Sequence, residues 1–155
     1  MERKMCAVLV ADMVAFSRLM ELEEIETFER QKTYLAEVFY PEISSHKGRI
    51  VKTTGDGILA EFPSIVEAVS CSVDIQRQME RREAQTPEDH RIAYRVGINL
   101  GDVIHDEGDI FGDGVNIAAR LEQLAEPGGI CISGSAYDHL RNIVEAGYQD
   151  LGEVQ

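Results

Sequence analysis

The sequence is poor in cysteine and aromatic residues, and it contains no tryptophan. Its three cysteines, Cys6, Cys71 and Cys131, are odd in number and form no Cys-x-x-Cys pair. We therefore interpret them as reduced core thiols of a cytoplasmic protein. The four histidines lack the HExxH spacing of zinc enzymes, so the sequence predicts no zinc site.

Basic residues are also scarce. Fifteen Lys and Arg residues stand against 28 Asp and Glu residues, which gives a formal net charge of -13 at pH 7. Nucleic acids and anionic membrane surfaces both require a basic face, so we expect neither as a partner. A small anion is not excluded, because a divalent cation could neutralise its charge.

Long apolar runs are absent as well. The run from Met5 to Val10 is too short for a membrane span, Asp12 interrupts it, and no targeting segment is present. With 155 residues, 44% of them apolar, the chain is expected to form one domain over residues 1–155. Its last five residues, Leu151-Gly152-Glu153-Val154-Gln155, are typical of the start of a strand, and we expect the native protein to continue.

Apolar periodicity predicts strands at 4–11, 48–52, 57–62, 91–103 and 130–132, and helices at 24–42, from 65 to about 79, at 114–124 and at 133–144. A capping box of Ser64 and Glu67 begins the second helix, and an acidic loop is expected at 105–109. The order predicts an α+β fold with a ferredoxin-like βαββαβ core. Its antiparallel sheet has helices on one face, followed by additional C-terminal elements.

Two aspartates lie where predicted strands end. Asp12 follows an apolar run, and Asp56 lies in the turn of a predicted hairpin. Two converging carboxylates together with phosphate oxygens would suit Mg²⁺ or Mn²⁺. Each also has an ordinary interpretation, since Asp12 could cap a helix that contains Phe16 and Asp56 could be a turn residue.

Lys52 and Asp109 form a candidate donor–acceptor pair. Lys52 precedes Asp56 by four residues, which puts both on one face of an extended strand. A lysine donor and an aspartate acceptor match the N1 acceptor and N6 donor of adenine, and guanine inverts this pattern. The alternative is a solvated lysine or an ion pair.

Asn116 and Arg120 are four residues apart on a predicted helix and share one face. An amide and a guanidinium aimed at one point suit a ribose oxygen and a developing phosphate charge. The alternative is a surface arginine paired with Glu122 or Asp113. No GxxxxGK[ST] loop occurs anywhere in the chain.

Taken in order, these motifs resemble the catalytic domain of class III adenylyl and guanylyl cyclases. The resemblance runs from Lys4 to Gln155 and is carried by four stretches: Val10-Ala11-Asp12-Met13-Val14-Ala15-Phe16-Ser17, Lys52-Thr53-Thr54-Gly55-Asp56-Gly57, Val96-Gly97-Ile98-Asn99-Leu100-Gly101, and Asp109-Ile110-Phe111-Gly112 continuing to Asn116 and Arg120.

The resemblance implies an adenylyl cyclase that converts ATP into cyclic AMP and pyrophosphate with two Mg²⁺ or Mn²⁺ ions per site. The implied roles are metal binding by Asp12, Asp56 and the Met13 backbone carbonyl, adenine selection by Lys52 and Asp109, and transition-state binding by Asn116 and Arg120. It also implies a head-to-tail homodimer with interfacial sites, and regulatory domains elsewhere in a longer chain.

There are two departures from the family pattern. Ala15 stands where the family commonly has glycine, and the family's triphosphate-binding lysine would lie beyond Gln155. Three other interpretations therefore stay open: a catalytically silent interaction module, a guanylyl cyclase, and a relative of palm-type polymerases.

Overall fold

A computed structural model of the chain describes residues 1–140. It contains a six-stranded sheet in which β2, β3, β1, β4 and β5 are neighbours in that order, each antiparallel to the next, and β6 pairs in parallel with β4. The strands are β1 (Glu2–Met13), β2 (Arg49–Thr53), β3 (Gly57–Phe62), β4 (Tyr94–Asp106), β5 (Asp109–Phe111) and β6 (Ile130–Ile132). The predicted α+β class and the antiparallel core are confirmed.

The helices are α1 (Phe16–Leu22), α2 (Glu24–Tyr34), α3 (Tyr40–Ser45), α4 (Ile65–Glu83), α5 (Asp113–Leu124) and α6 (Gly134–Leu140). A π-helical turn at Leu35–Phe39 joins α2 to α3, so the predicted helix at 24–42 is one continuous helical run. The part of the last predicted helix beyond Leu140 and the strand-like ending at 151–155 lie outside the described residues. Within residues 1–140, no helix is both long and apolar enough to cross a membrane.

The two faces of the sheet carry two separate apolar clusters. Along β1, Ala7 and Leu9 belong to the larger cluster, with Val38, Phe39 and residues of α4, whereas Cys6 and Val8 belong to a smaller one. This alternation follows from the two-residue period of a strand.

Helix α5 packs on the face of the smaller cluster, through Ala118. The expectation that all helices lie on one face is therefore wrong for α5. The cause is Gly97 in β4, where a Cβ atom would lie 2.3 Å from the Glu122 backbone nitrogen and 2.4 Å from the Ala118 carbonyl oxygen. Without a side chain at this position, the backbone of α5 can approach the strand closely.

Two predicted boundaries differ for identifiable reasons. Helix α4 begins as expected, with Ser64 Oγ accepting a hydrogen bond from the Val66 amide at 3.2 Å. It continues to Glu83, because the Glu83 carboxylate is buried between Arg30, Tyr34 and the Ile92 amide. The acidic loop expected at 105–109 is instead the end of a β4–β5 hairpin, whose turn residues Glu107 and Gly108 both have positive φ.

Candidate active site

Asp12 and the loop of Asp56 meet at the ends of β1 and β3. The Met13 amide donates a 2.7 Å hydrogen bond to the Asp56 carbonyl oxygen, and Asp12 is paired with Gly57 in the β1–β3 register. The Asp12 side chain lies across Gly57, because a Cβ atom there would be 2.3 Å from Asp12 Oδ1. Gly57 is therefore required for this placement of the carboxylate.

The electrostatics of Asp12 fit a cation site. Burial raises the pKa of Asp12, a hydrogen bond from Glu122 lowers it, and the charge of Asp56 raises it again. The two aspartates therefore feel each other's charge on an incompletely solvated surface. Such an oxygen donor set suits a divalent cation, which would remove the repulsion.

Asp12 does not cap the following helix. The N-cap of α1 is Ala15, which makes no side-chain capping bond and has φ 55° and ψ 36°. The helix-cap interpretation of Asp12 is therefore wrong. Ala15 occupies the left-handed region, which normally favours glycine.

Glu122 is a site residue that sequence reasoning misplaced. It is 1% exposed, and its protonated carboxyl donates to the Asp12 carboxylate. Burial, this hydrogen bond and the Asp12 charge raise the pKa of Glu122 to about 7. The alternative pairing of Arg120 with Glu122 is therefore wrong. A signal was available, since Glu122 is four residues after the inward-facing Ala118.

Lys52 and Asp109 are brought together. Lys52 Nζ donates to Asp109 Oδ2 at 3.2 Å, and the Ile110 amide donates to Asp109 Oδ1 at 2.8 Å. The backbone hydrogen bond from Ile110, followed by Lys52, lowers the pKa of Asp109. The ion-pair alternative for Lys52 is thus observed, and its partner is the proposed acceptor itself. A planar base edge that reaches the pair would find one donor beside one acceptor.

The hairpin that carries Asp109 is held at a second point. Arg49 of β2 donates to the Gly108 carbonyl oxygen at 3.0 Å and to Glu61 of β3 at 3.0 Å. The tip of the hairpin is therefore fixed against the opposite edge of the sheet, which positions Asp109 beside Lys52.

Asn116 and Arg120 lie on the solvent side of α5, and both are exposed. Asn99 fixes the start of this helix by donating to the Gly114 carbonyl oxygen at 3.1 Å. Within residues 1–140, no ion pair or side-chain hydrogen bond engages Asn116 or Arg120. One chain therefore joins Asp12 to the loop of Asp56, and Lys52 to Asp109, but leaves Asn116 and Arg120 apart from both groups.

Comparison with known proteins gives one consistent result. The chain matches the adenylate and guanylate cyclase catalytic domain family over residues 1–155. It is 42% identical over 158 residues to a Rhizobium meliloti protein that bears the provisional name adenylate cyclase 3, covering 99% of this chain and 27% of that protein. The chain thus spans about a quarter of the length of this relative.

Solved structures agree with the fold. An adenylate/guanylate cyclase/hydrolase from Silicibacter pomeroyi matches with a TM-score of 0.90 and 48% identity, over 98% of this chain and 88% of that one. The adenylyl cyclase CyaB from P. aeruginosa matches with a TM-score of 0.80 and 26% identity, over 93% and 84% of the two chains.

Proposed function

This chain belongs to the adenylate and guanylate cyclase catalytic domain family, and on that basis we propose that it converts ATP into cyclic AMP and pyrophosphate. The observation that carries the choice of ATP is the Lys52–Asp109 pair, which offers a donor and an acceptor 3.2 Å apart. Adenine presents the complementary acceptor and donor, whereas guanine would meet like against like at both positions.

Asp12, Asp56 and the Met13 carbonyl oxygen would hold two Mg²⁺ or Mn²⁺ ions. Bound there, the ions supply a lowered pKa at the ribose 3′-hydroxyl and charge neutralisation at the β- and γ-phosphates. The carboxylates of the protein position this chemistry at the end of β1, where Gly57 leaves room above the strand.

The remaining residues act on the ribose and the α-phosphate. The 3′-oxygen forms a bond to the α-phosphorus in line with the leaving pyrophosphate, and the bond to the β-phosphate oxygen breaks. Asn116 would orient the ribose, and Arg120 would donate to the charge that develops on the α-phosphate. The proton of the hydroxyl passes to solvent, so no side chain is assigned as general base.

A head-to-tail homodimer accounts for the separation within one chain. Asn116 and Arg120 are exposed on α5, so they are available to complete a site whose aspartates come from a second copy. Because the chain spans 27% of its Rhizobium meliloti relative, we also propose that regulatory domains accompany it in a longer protein. ATP as the substrate assigns the reaction to the cytoplasm.

The test is production of cyclic AMP from ATP by the purified protein with Mn²⁺. Asp12→Asn and Asp56→Asn should each abolish turnover and leave the fold intact, because only the cation ligands change. Asp138→Asn is the matched control, since Asp138 is an exposed aspartate on α6. Equal turnover of GTP would identify a guanylyl cyclase instead, and absence of either cyclic nucleotide would favour the silent interaction module.

A further inference from the structure

Three side chains with different donor atoms meet on the α5 face of the sheet, outside the proposed catalytic residues. Cys6 belongs to β1, Glu61 to β3 and His105 to β4. One ligand atom from each, a thiol sulphur, a carboxylate oxygen and an imidazole nitrogen, lies within 4.8 Å of the other two. The three residues are far apart in the sequence, so motif spacing cannot reveal this cluster.

The hydrogen bonding within the cluster is incomplete. His105 Nε2 lies 2.6 Å from Glu61 Oε2, but His105 Nδ1 is buried without a hydrogen-bond partner. The Cys6 thiol is buried too, at 6% exposure. A buried imidazole nitrogen with no partner is costly, and a bound ion in the cluster would account for the burial of this side chain.

We propose that Cys6, Glu61 and His105 form a zinc site. Thiolate, imidazole and carboxylate are the three ligand types of protein-bound Zn²⁺, and three protein ligands leave a fourth tetrahedral position for water. The catalytic aspartates offer oxygen alone, which suits Mg²⁺ or Mn²⁺, so the two sites select different ions by chemistry. On binding, Cys6 releases its thiol proton to solvent.

Glu61 is already oriented for this role. Its Oε1 atom accepts from Arg49 Nε at 3.0 Å, which leaves Oε2 directed at His105. Arg49 thus positions the carboxylate and partly neutralises it, so a single oxygen is offered to the ion. Monodentate carboxylate binding agrees with a four-coordinate site.

The position of the cluster gives it a consequence for nucleotide binding, which rests on the proposed function. His105 pairs with Ile110 in the β4–β5 register, and Ile110 follows Asp109. Zinc would therefore clamp the base of the hairpin that carries Asp109 onto β1 and β3. It should change the KM for ATP more than kcat, because it fixes a base-binding residue and not the reacting groups.

The test is calorimetric titration of ZnCl₂ into chelator-treated protein without nucleotide. We expect one Zn²⁺ per chain and a raised Tm, with affinity at least tenfold weaker in Cys6→Ser and in His105→Asn. Two matched controls should bind zinc normally: Cys131→Ser, which changes another buried cysteine, and His46→Asn, which alters a second cluster formed with Glu42 and Asp74. Unchanged affinity in both cluster variants would overturn the proposal, and so would absence of binding to the unmodified protein.

A second measurement covers the case in which a cluster variant fails to fold. Co²⁺ bound to the unmodified protein should show a thiolate-to-cobalt charge-transfer band that is displaced by Zn²⁺; absence of the band would exclude Cys6 as a ligand. The band should persist in Asp12→Asn, which separates this site from the catalytic ions. Because neither measurement uses turnover, failure here is distinct from failure of the proposed reaction.

Discussion

Lys52 Nζ lies 3.2 Å from Asp109 Oδ2, although 57 residues separate the two in the chain. Lys52 is on β2 and Asp109 on β5, the strands at opposite ends of the order β2-β3-β1-β4-β5. The sheet therefore curls until its two edges meet, and this ion pair lies where they do. The candidate base-binding pair is a product of the curl and not of either strand alone.

The first prediction concerns the choice of base. ATP should be preferred to GTP, because guanine leaves both Lys52 and Asp109 mispaired, at a cost of about 1–3 kcal/mol for each lost hydrogen bond. Since the Lys52 side chain is 50% exposed in the single chain, we expect the low end of this range. A total of about 2 kcal/mol corresponds to a preference of roughly 30-fold in kcat/KM.

The matched variants are Lys52→Glu combined with Asp109→Cys, and Lys32→Glu as a control on α2. The double variant should weaken the preference for ATP, because the donor is lost and an acceptor for the N1–H group of guanine is supplied. The control should not. Equal kcat/KM values for ATP and GTP in the unmodified protein would show that these two residues do not read the base.

How much could be predicted from the sequence depends on the kind of information each feature requires. Strand positions, helix positions and the residues at strand ends follow from local periodicity, so β1, β3, α4 and α5 were predicted within a few residues. The place of α5 was not predicted, because it depends on a missing side chain at Gly97 rather than on any apolar pattern. Glu122 was misplaced for a related reason, since a charged residue near a helix end resembles a surface residue until its partner is known.

Long-range closure was equally inaccessible to local patterns. The polar run from His105 to Asp109 is typical of a loop, yet two positive φ values at its centre make it a hairpin turn. Roles of single residues came from the resemblance to the cyclase family. Those roles stay predictions, although the proximity of Lys52 to Asp109 supports them.

The second prediction concerns pH. Glu122 has an ordinary pKa of 4.5 that the fold raises to about 7, so the folded state binds this proton more tightly than the unfolded state. Its contribution to the free energy of unfolding should be present in full below about pH 4.5 and lost as the pH rises through about 7. Urea unfolding of metal-free protein between pH 5 and 8 measures this slope.

Glu122→Gln is the variant that isolates the effect. Glutamine keeps a donor for Asp12 but cannot ionise, so the variant should lose this part of the pH dependence and be the more stable protein at pH 8. Glu126→Gln, an exposed glutamate just beyond α5, should leave the slope as it is. An unchanged slope in Glu122→Gln would assign the pH dependence to other groups.

The third prediction concerns Ala15. Its left-handed conformation costs an L-residue about 1–2 kcal/mol, and glycine would remove that cost while losing about 0.4–1 kcal/mol through a more flexible unfolded chain. Ala15→Gly should therefore stabilise the protein by up to about 1 kcal/mol. Lys47, with φ 65°, is the matched control: Lys47→Gly should also stabilise, but only Ala15→Gly should alter turnover. A destabilised Ala15→Gly protein would contradict this account.

The fourth prediction concerns the seat of α5. In Gly97→Ala the new methyl group would lie 2.3 Å from the Glu122 nitrogen and 2.4 Å from the Ala118 oxygen, both of which are backbone atoms that cannot rotate away. We expect a loss of about 1–3 kcal/mol from overpacking, and a loss of turnover that persists at temperatures where the variant is folded, because α5 carries Asn116 and Arg120. Gly134→Ala, where a Cβ would meet nothing within 4 Å, should change neither quantity.

The last prediction concerns the proposed interfacial site. Asp12→Ala and Asn116→Ala should each be inactive alone, since every site in either homodimer lacks one essential group. Mixed in equal amounts, they should recover about a quarter of the unmodified activity, because half of the randomly exchanged dimers are mixed and each has one complete site of two. The control mixture is Asp12→Ala with Asp56→Ala, which alter the same half of the site and should recover nothing. With subunit exchange demonstrated by two affinity tags, recovery in both mixtures or in neither would show that the two groups do not belong to opposite protomers.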